Sequence, residues 1–274
     1  MDALAALRLQ MEWGVDEALG EAPVDRLAAR PPAAPATPPA EPAAARASTG
    51  SAPQRAPAAP PPHSSPLARA ESLAAAAATR EELRAALAGF DGCALATTAT
   101  NLVFADGNPV SGLMLIGEGP GAEEDRAGKP FVGQSGQFLD RMLASIGLDR
   151  SQFLITNVIP WRPPGNRNPT DAEILLCLPF LLRHIALVRP RRLILLGAIA
   201  AQSVTKSNTG IRKLRGRWLD ATIPGLDQPI PALPMLHPAY LLRTPGAKRD
   251  AWEDLRLLRR TLDADAARGA IVKG

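Results

Sequence analysis

Four short apolar runs alternate along the chain with longer segments in which apolar positions recur every three or four residues. The runs predict strands over 113–116, 153–158, 192–196 and 232–236. The longer segments predict helices over about 79–89, 137–146, 170–181 and 251–267. Thr79 and Thr170 are each followed three residues later by Glu, the capping-box pattern of a helix start. This alternation is typical of an α/β fold with a parallel sheet of four strands.

Polar residues follow the apolar runs at the points where the predicted strands end. Glu118 follows the first run, Asn157 closes the second and His237 follows the fourth. Singly, such an Asn is more often a turn residue, and such a His is more often structural. The carboxyl ends of parallel strands share one edge of the sheet, however, so these side chains are expected to converge. With Phe131 nearby, a carboxylate, an amide, an imidazole and a ring favour a planar, hydrogen-bonding heterocycle as ligand.

The first strand runs directly into a glycine-rich turn, Gly117-Glu118-Gly119-Pro120-Gly121. The spacing differs from that of a phosphate-binding P-loop, because Lys129 is followed by Pro130 and not by Ser or Thr. It also differs from the dinucleotide fingerprint, because the glycines are spaced Gly-x-Gly-x-Gly. The three acids at 123–125 are interpreted as a solvated first helical turn rather than as a metal site.

The N-terminal quarter of the chain has a different composition. Residues 31–70 contain 12 of the 28 prolines and few large apolar side chains. Such a segment cannot bury enough surface to offset chain entropy, so residues 21–70 are predicted to be a disordered Ala/Pro-rich linker. Residues 1–20 predict a short amphipathic helix, either a docking segment for a protein partner or a marginal helix that frays. Residues 71–274 are predicted to form the folded domain.

Charge and cysteine content bear on the binding partner and the cellular compartment. Residues 67–274 carry a net charge of +6, which favours a phosphate-rich partner, although ordinary surface arginines explain the charge equally well. Two cysteines make no disulfide framework. The sequence shows no apolar run of bilayer length and no leader pattern, so a cytoplasmic protein without membrane association is expected. Nothing requires an oligomer, and we expect a monomer.

Five motifs together resemble the family 4 uracil-DNA glycosylases, over about residues 90–260. They are Gly117-Glu118-Gly119-Pro120-Gly121-x-x-Glu124-Asp125, Gly128-Lys129-Pro130-Phe131-Val132-Gly133, Thr156-Asn157-Val158, Arg162-Pro163-Pro164-Gly165-Asn166-Arg167 and His237-Pro238-Ala239-Tyr240-Leu241-Leu242-Arg243. The resemblance implies a three-layer α/β/α sandwich. It also implies an enzyme that flips uracil out of DNA and hydrolyses its N-glycosidic bond, leaving an abasic site in base excision repair.

The resemblance also implies roles for individual residues. Phe131 would stack on uracil, Asn157 would pair with its O4 and N3–H, and Glu124 would lie near C5. For catalysis, His237 would stabilise the departing anion, and Glu118 with the Gly119 backbone would lie beside the attacking water. The residues expected to contact DNA are Arg162, Arg167, Tyr240, Leu241, Leu242 and Arg243, with Leu241 or Leu242 as a wedge in the base stack.

The chain departs from the family at the iron-sulfur site. Family 4 enzymes usually hold a [4Fe-4S] cluster with four cysteines, of which Cys93 and Cys177 match two positions. Phe90 and Trp161 stand at the other two. Because two thiolates do not hold such a cluster, we expect no metal and no cofactor, with Phe90 and Trp161 filling the space and both thiols buried and free.

Three alternatives remain open at this point. The first is a non-catalytic module that recognises uracil or damaged DNA, and the second is a glycosylase for another deaminated or oxidised base. The third is a relative that forms a covalent adduct with DNA through a histidine in a basic loop. The basic run 212–217 contains no His, which disfavours the third.

Overall fold

The structure, a computed structural model, describes residues 65–271. The predicted helix at 1–20 and nearly all of the predicted linker lie outside these residues. The strands are β1 (Asp106–Gly107), β2 (Leu113–Gly117), β3 (Leu154–Asn157), β4 (Arg192–Leu196), β5 (Leu219–Ala221) and β6 (Ile230–Met235). The helices are α1 (Pro66–Ala76), α2 (Arg80–Ala88), α3 (Leu95–Thr98), α4 (Ala122–Ala127), α5 (Gln134–Ala144), α6 (Asp171–Val188), α7 (Ala198–Thr205), α8 (Ile211–Leu214), α9 (Pro238–Arg243) and α10 (Lys248–Ile271).

The strands form one sheet in the order β1-β3-β2-β4-β6-β5. The four central strands are parallel, as predicted, and β1 and β5 add antiparallel edges. Neither edge strand was predicted, because they are only two and three residues long. The chain passes from β2 to β3 on one side and later to β4 on the other, which creates a topological switch point between β2 and β4.

Helices cover both faces of the sheet, because the central strands are buried on both sides. In β2, Met114 and Ile116 belong to a core shared with α6 and α7, while Leu113 and Leu115 belong to a second core shared with α5 and α10. Residues adjacent in a strand point to opposite faces, so one continuous apolar run supplies both cores. The predicted three-layer α/β/α sandwich is therefore confirmed.

Helix starts agree with the capping patterns. Thr79 accepts the backbone N–H of Glu82 at 3.1 Å, and Thr170 forms the full capping box with Glu173 at the start of α6. The first described helix differs from expectation: α1 begins at Pro66, capped by Ser65, five residues before the predicted domain start at 71. The alanines of α1 pack against α6. The last residues of the predicted linker therefore belong to the folded domain.

A buried ion pair ties the loop after α7 to the last helix. Arg215, which follows α8, donates two hydrogen bonds to the Asp254 carboxylate of α10 at 2.8 and 2.9 Å. The Asp254 side chain is 0 % exposed. Such a pair contributes chiefly by fixing which groups meet, since removal of one partner leaves a buried charge. We call this pair the Arg215–Asp254 clamp, and it links the basic run 212–217 to α10.

Within residues 65–271, none of the helices combines the length and the apolar character that a bilayer-spanning segment needs.

Candidate active site

A cavity of about 190 Å³ opens at the carboxyl edge of the parallel strands. Glu118, Asn157 and His237 all line it, together with Phe131. The convergence predicted from the strand ends is therefore confirmed. The volume lies below the roughly 300–1,000 Å³ of sites for drug-sized molecules, so this cavity fits a single ring. We call it the base cavity.

Asn157 is the clearest sign of a ligand. It closes β3, is 5 % exposed, and both Oδ1 and Nδ2 are buried without a hydrogen-bond partner. The oxygen and nitrogen of a buried side-chain amide normally form hydrogen bonds, and leaving one of them unpaired costs about 1–3 kcal/mol. The pair of free atoms matches a ligand that presents a donor beside an acceptor.

Phe131 is held in an unusual backbone conformation next to this amide. Its φ is +55°, its side chain is buried, and its ring centroid lies 5.8 Å from that of His237. A Cβ at Gly136 would lie 2.0 Å from the Phe131 carbonyl oxygen, and one at Gly117 would lie 2.4 Å from both the Phe131 ring and Asn157 Oδ1. Both glycines are required by close approach, and they leave the ring next to the amide.

His237 is a neutral donor. Its Nδ1 accepts the backbone N–H of Ala239 at 3.2 Å, at the start of α9. Burial, assisted by the charge of Arg243, lowers the pKa of His237 to about 4. The imidazole is therefore uncharged at neutral pH, and its proton resides on Nε2, which is free to donate into the base cavity.

Glu118 lies directly after β2. Burial raises the pKa of its carboxyl, while the backbone N–H groups of Ile199 and Ala198 and the charge of Arg243 oppose that rise. Gly119 lines the cavity beside it, and the Ile159 N–H bonds the Glu118 carbonyl at 3.0 Å. A carboxylate with a raised pKa beside a cavity is suited to accept a proton.

The interpretation of the acids at 123–125 as a solvated turn was wrong for two of them. Glu124 is buried and accepts the backbone N–H groups of Gly121, Val132 and Gly133 at 2.8–3.0 Å. Asp125 is buried and accepts those of Thr100 and Asn101. Both carboxylates are needed by backbone amides of other segments, and only Glu123 is exposed. Glu124 does line the base cavity, as predicted.

The two arginines of the loop after β3 are engaged within the protein. Arg167 forms two hydrogen bonds to the Glu173 carboxylate at 2.6 and 2.9 Å, and Arg162 donates to Asn166 at 2.7 Å. Arg167 also lines the base cavity. Its predicted contact with DNA therefore competes with the ion pair to Glu173.

The two leucines in the segment after His237 differ in exposure. Leu241 is 0 % exposed and packs with Leu236, Ala247 and Ala251. This burial argues against its predicted contact with DNA, because a wedge must leave the protein surface. Leu242 is partly exposed and lines a surface cavity together with the exposed Arg243.

A second cavity of about 440 Å³ shares Glu118 and His237 with the base cavity. It is lined by Gly197, Ala198, Arg212, Tyr240 and Arg243 among others. Gly197 is not among the site residues predicted from the sequence. The signal available was a glycine immediately after a buried parallel strand, where the backbone must approach another group closely.

The residues at the family's cluster positions do not fit an iron-sulfur cluster. Phe90 and Trp161 are buried in the core, and the Phe90 ring lies 5.3 Å from that of Phe180. Cys93 and Cys177 are buried free thiols. Their mutual hydrogen bond lowers the pKa of Cys93 to about 7 and, with burial, raises that of Cys177. Carbon side chains thus occupy two of the four ligand positions.

The fold and the base cavity define an α/β protein with a ring-sized cavity at the carboxyl edge of its sheet. Residues 104–256 match the family model described as "Uracil DNA glycosylase superfamily". The chain is 35% identical over 181 residues to a type-4 uracil-DNA glycosylase of Pyrobaculum aerophilum, covering 65% of this chain and 91% of that protein.

Other relatives agree. The chain is 39% identical over 155 residues to a type-4 uracil-DNA glycosylase of Thermotoga maritima, covering 55% of this chain and 77% of that protein. A type-5 uracil-DNA glycosylase of Pyrobaculum aerophilum is 31% identical to the chain over 109 residues, covering 34% of this chain and 48% of that protein. The chain belongs to the type-4 family of the uracil-DNA glycosylase superfamily.

Proposed function

We propose that this protein hydrolyses the N-glycosidic bond between uracil and deoxyribose in DNA. The observation that carries the proposal is the Asn157 amide, whose two polar side-chain atoms are buried and unpaired beside the Phe131 ring. Uracil presents an acceptor, O4, next to a donor, N3–H. Cytosine presents the reverse at these positions and would leave both pairs unmade, which gives strong discrimination.

The reacting bond is the C1′–N1 bond of a nucleotide flipped into the base cavity. As it breaks, the electron pair leaves with uracil, and His237 Nε2–H donates to the O2 atom where negative charge develops. Water adds its hydroxyl to C1′, and Glu118 accepts the released proton. A neutral His237 and a Glu118 with a raised pKa support these two roles.

The deciding experiment uses a labelled oligonucleotide with one uracil opposite guanine. After incubation with the full chain, alkali cleaves the strand at abasic sites. We expect cleavage by the wild type, a large loss in His237→Ala, and a shift from uracil to cytosine in Asn157→Asp. Binding of uracil-containing DNA without abasic sites would indicate a recognition module instead. Unchanged uracil activity in Asn157→Asp would contradict the recognition role.

We also propose that this member works without the cluster of its family. None of Glu118, Phe131, Asn157 or His237 stands at a cluster position, and Phe90 with Trp161 supplies core packing in that lobe. Anaerobically purified protein is expected to contain far less than one iron per chain and to lack the brown absorbance of such clusters. Iron at four atoms per chain, lost on Cys93→Ser, would overturn this proposal.

A further inference from the structure

Glu118 lies at the topological switch point of the sheet, where β2 and β4 lie side by side and the chain leaves each in a different direction. Glu118 lines both the base cavity and the second cavity. A side chain between two openings is free to swing unless something holds it. The group that holds it comes from the turn after β4.

The turn binds the Glu118 carboxylate through the backbone. The Ile199 N–H donates to Glu118 Oε1 at 3.2 Å. Ile199 is the second residue of α7, so no bond within the helix uses its N–H. The helix N-terminus also carries partial positive charge, which favours an ionised carboxylate.

The turn also excludes any side chain at position 197. Gly197 has φ of +98°. A Cβ built there would lie 2.2 Å from Glu118 Oε1 and 2.8 Å from its Cδ. Real Cβ contacts are never this short, so the carboxylate occupies the space of the absent side chain.

We propose that the 197–199 turn is a positioning device that holds Glu118 as an ionised carboxylate aimed at the base cavity. Gly197 provides the room and Ile199 the hydrogen bond. Neither residue lines the base cavity, so both act through Glu118. The inference rests on the proposed function, because it supports the assignment of Glu118 to the attacking water.

The first test removes the N–H alone. Ile199→Pro deletes the donor at a helical position where proline is tolerated, and Ile199→Ala measures the side chain separately. Relative to Ile199→Ala, we expect Ile199→Pro to lower the single-turnover rate about tenfold to a hundredfold with uracil-DNA affinity retained. We also expect the acid limb of its pH–rate profile to move up by about one pH unit. Ala172→Pro, at the exposed second position of α6, is the matched control.

The second test fills the space at 197. Gly197→Ala adds the methyl group that collides with Glu118, whereas Gly225→Ala imposes similar backbone strain at φ of +83° with no atom within 4 Å. We expect a rate loss in Gly197→Ala only. Rates and acid limbs equal to those of the controls in both Gly197→Ala and Ile199→Pro would overturn the proposal.

A third measurement separates this inference from the proposed function. The Glu118 carboxyl is titrated by NMR in protein with ¹³C-labelled glutamate, with Glu118→Gln to assign the signal. We expect a higher pKa in Ile199→Pro than in Ile199→Ala. Identical titrations would refute the turn as the holder of the charge. A wild type that forms no abasic sites would refute only the proposed function, because the titration does not require turnover.

Discussion

Glu124→Gln tests how the glycine-rich turn is joined to the segment that carries Phe131. The Glu124 carboxylate accepts one N–H from Gly121 on one oxygen and two, from Val132 and Gly133, on the other. Glutamine keeps one oxygen, which can still accept the N–H groups of Val132 and Gly133. Its amide NH₂ then faces the Gly121 N–H, which loses its acceptor. One charge-assisted bond is lost, and the other two become neutral.

The magnitude follows from the bonds. A hydrogen bond to a charged group contributes about 1.5–3 kcal/mol, and a neutral one about 1 kcal/mol. We therefore expect the free energy of unfolding to fall by at least about 2.5 kcal/mol. A loss of about 3 kcal/mol lowers the Tm of a domain of this size by about 6–12 °C. The Phe131 segment also loosens, so uracil-DNA affinity falls.

The assay is thermal and urea unfolding of Glu124→Gln beside Glu123→Gln. Glu123 is the exposed neighbour on the same helical turn, so its change is expected to stay within about 0.5 kcal/mol. Equal stability of the two variants would refute the reasoning, since it would mean that the three backbone amides are satisfied without the carboxylate.

Three further predictions concern acid, packing and salt. Burial lowers the pKa of His184 to about 3, below its unfolded value, so the free energy of unfolding falls as the pH drops below about 6.5. Between pH 7 and pH 5, urea unfolding of the wild type should show a loss of about 2 kcal/mol more than that of His184→Gln. Parallel curves for the two proteins would contradict this. Leu241→Ala should lower the free energy of unfolding by about 2–5 kcal/mol, whereas Leu242→Ala should leave stability nearly unchanged and weaken binding to uracil-DNA; the reverse pattern would exchange their roles. Arg243→Ala should lower the slope of log K against log salt by about 1 if it contacts a phosphate, and an unchanged slope would exclude that contact.

Much of the fold was predictable because the four central strands are buried on both faces. Such strands appear as continuous apolar runs, and the polar residue after each run marks the shared edge of the sheet. The capping boxes at Thr79 and Thr170 are equally local, because donor and acceptor lie three residues apart. Features with that kind of short range are visible in a single sequence.

The remainder depends on contacts between distant residues. Asp125 is buried because the amides of Thr100 and Asn101 need an acceptor, and nothing in the local sequence records that need. Leu241 and Leu242 are identical in type, and only the direction of α9 decides that one enters the core. The contact of Ile199 with Glu118 spans 81 positions, so no local pattern indicates it.

The Arg215–Asp254 clamp has a consequence for mutations far from the active site. Arg212 lines the cavity beside Glu118 and His237, and its loop is anchored to α10 through Asp254, which is 0 % exposed. A nonsense allele that ends the chain between residues 244 and 253 would leave every active-site residue encoded while removing Asp254, which accepts two hydrogen bonds from Arg215. In a genetic screen, such alleles are expected to score as null for repair although the coding sequence of the site is intact.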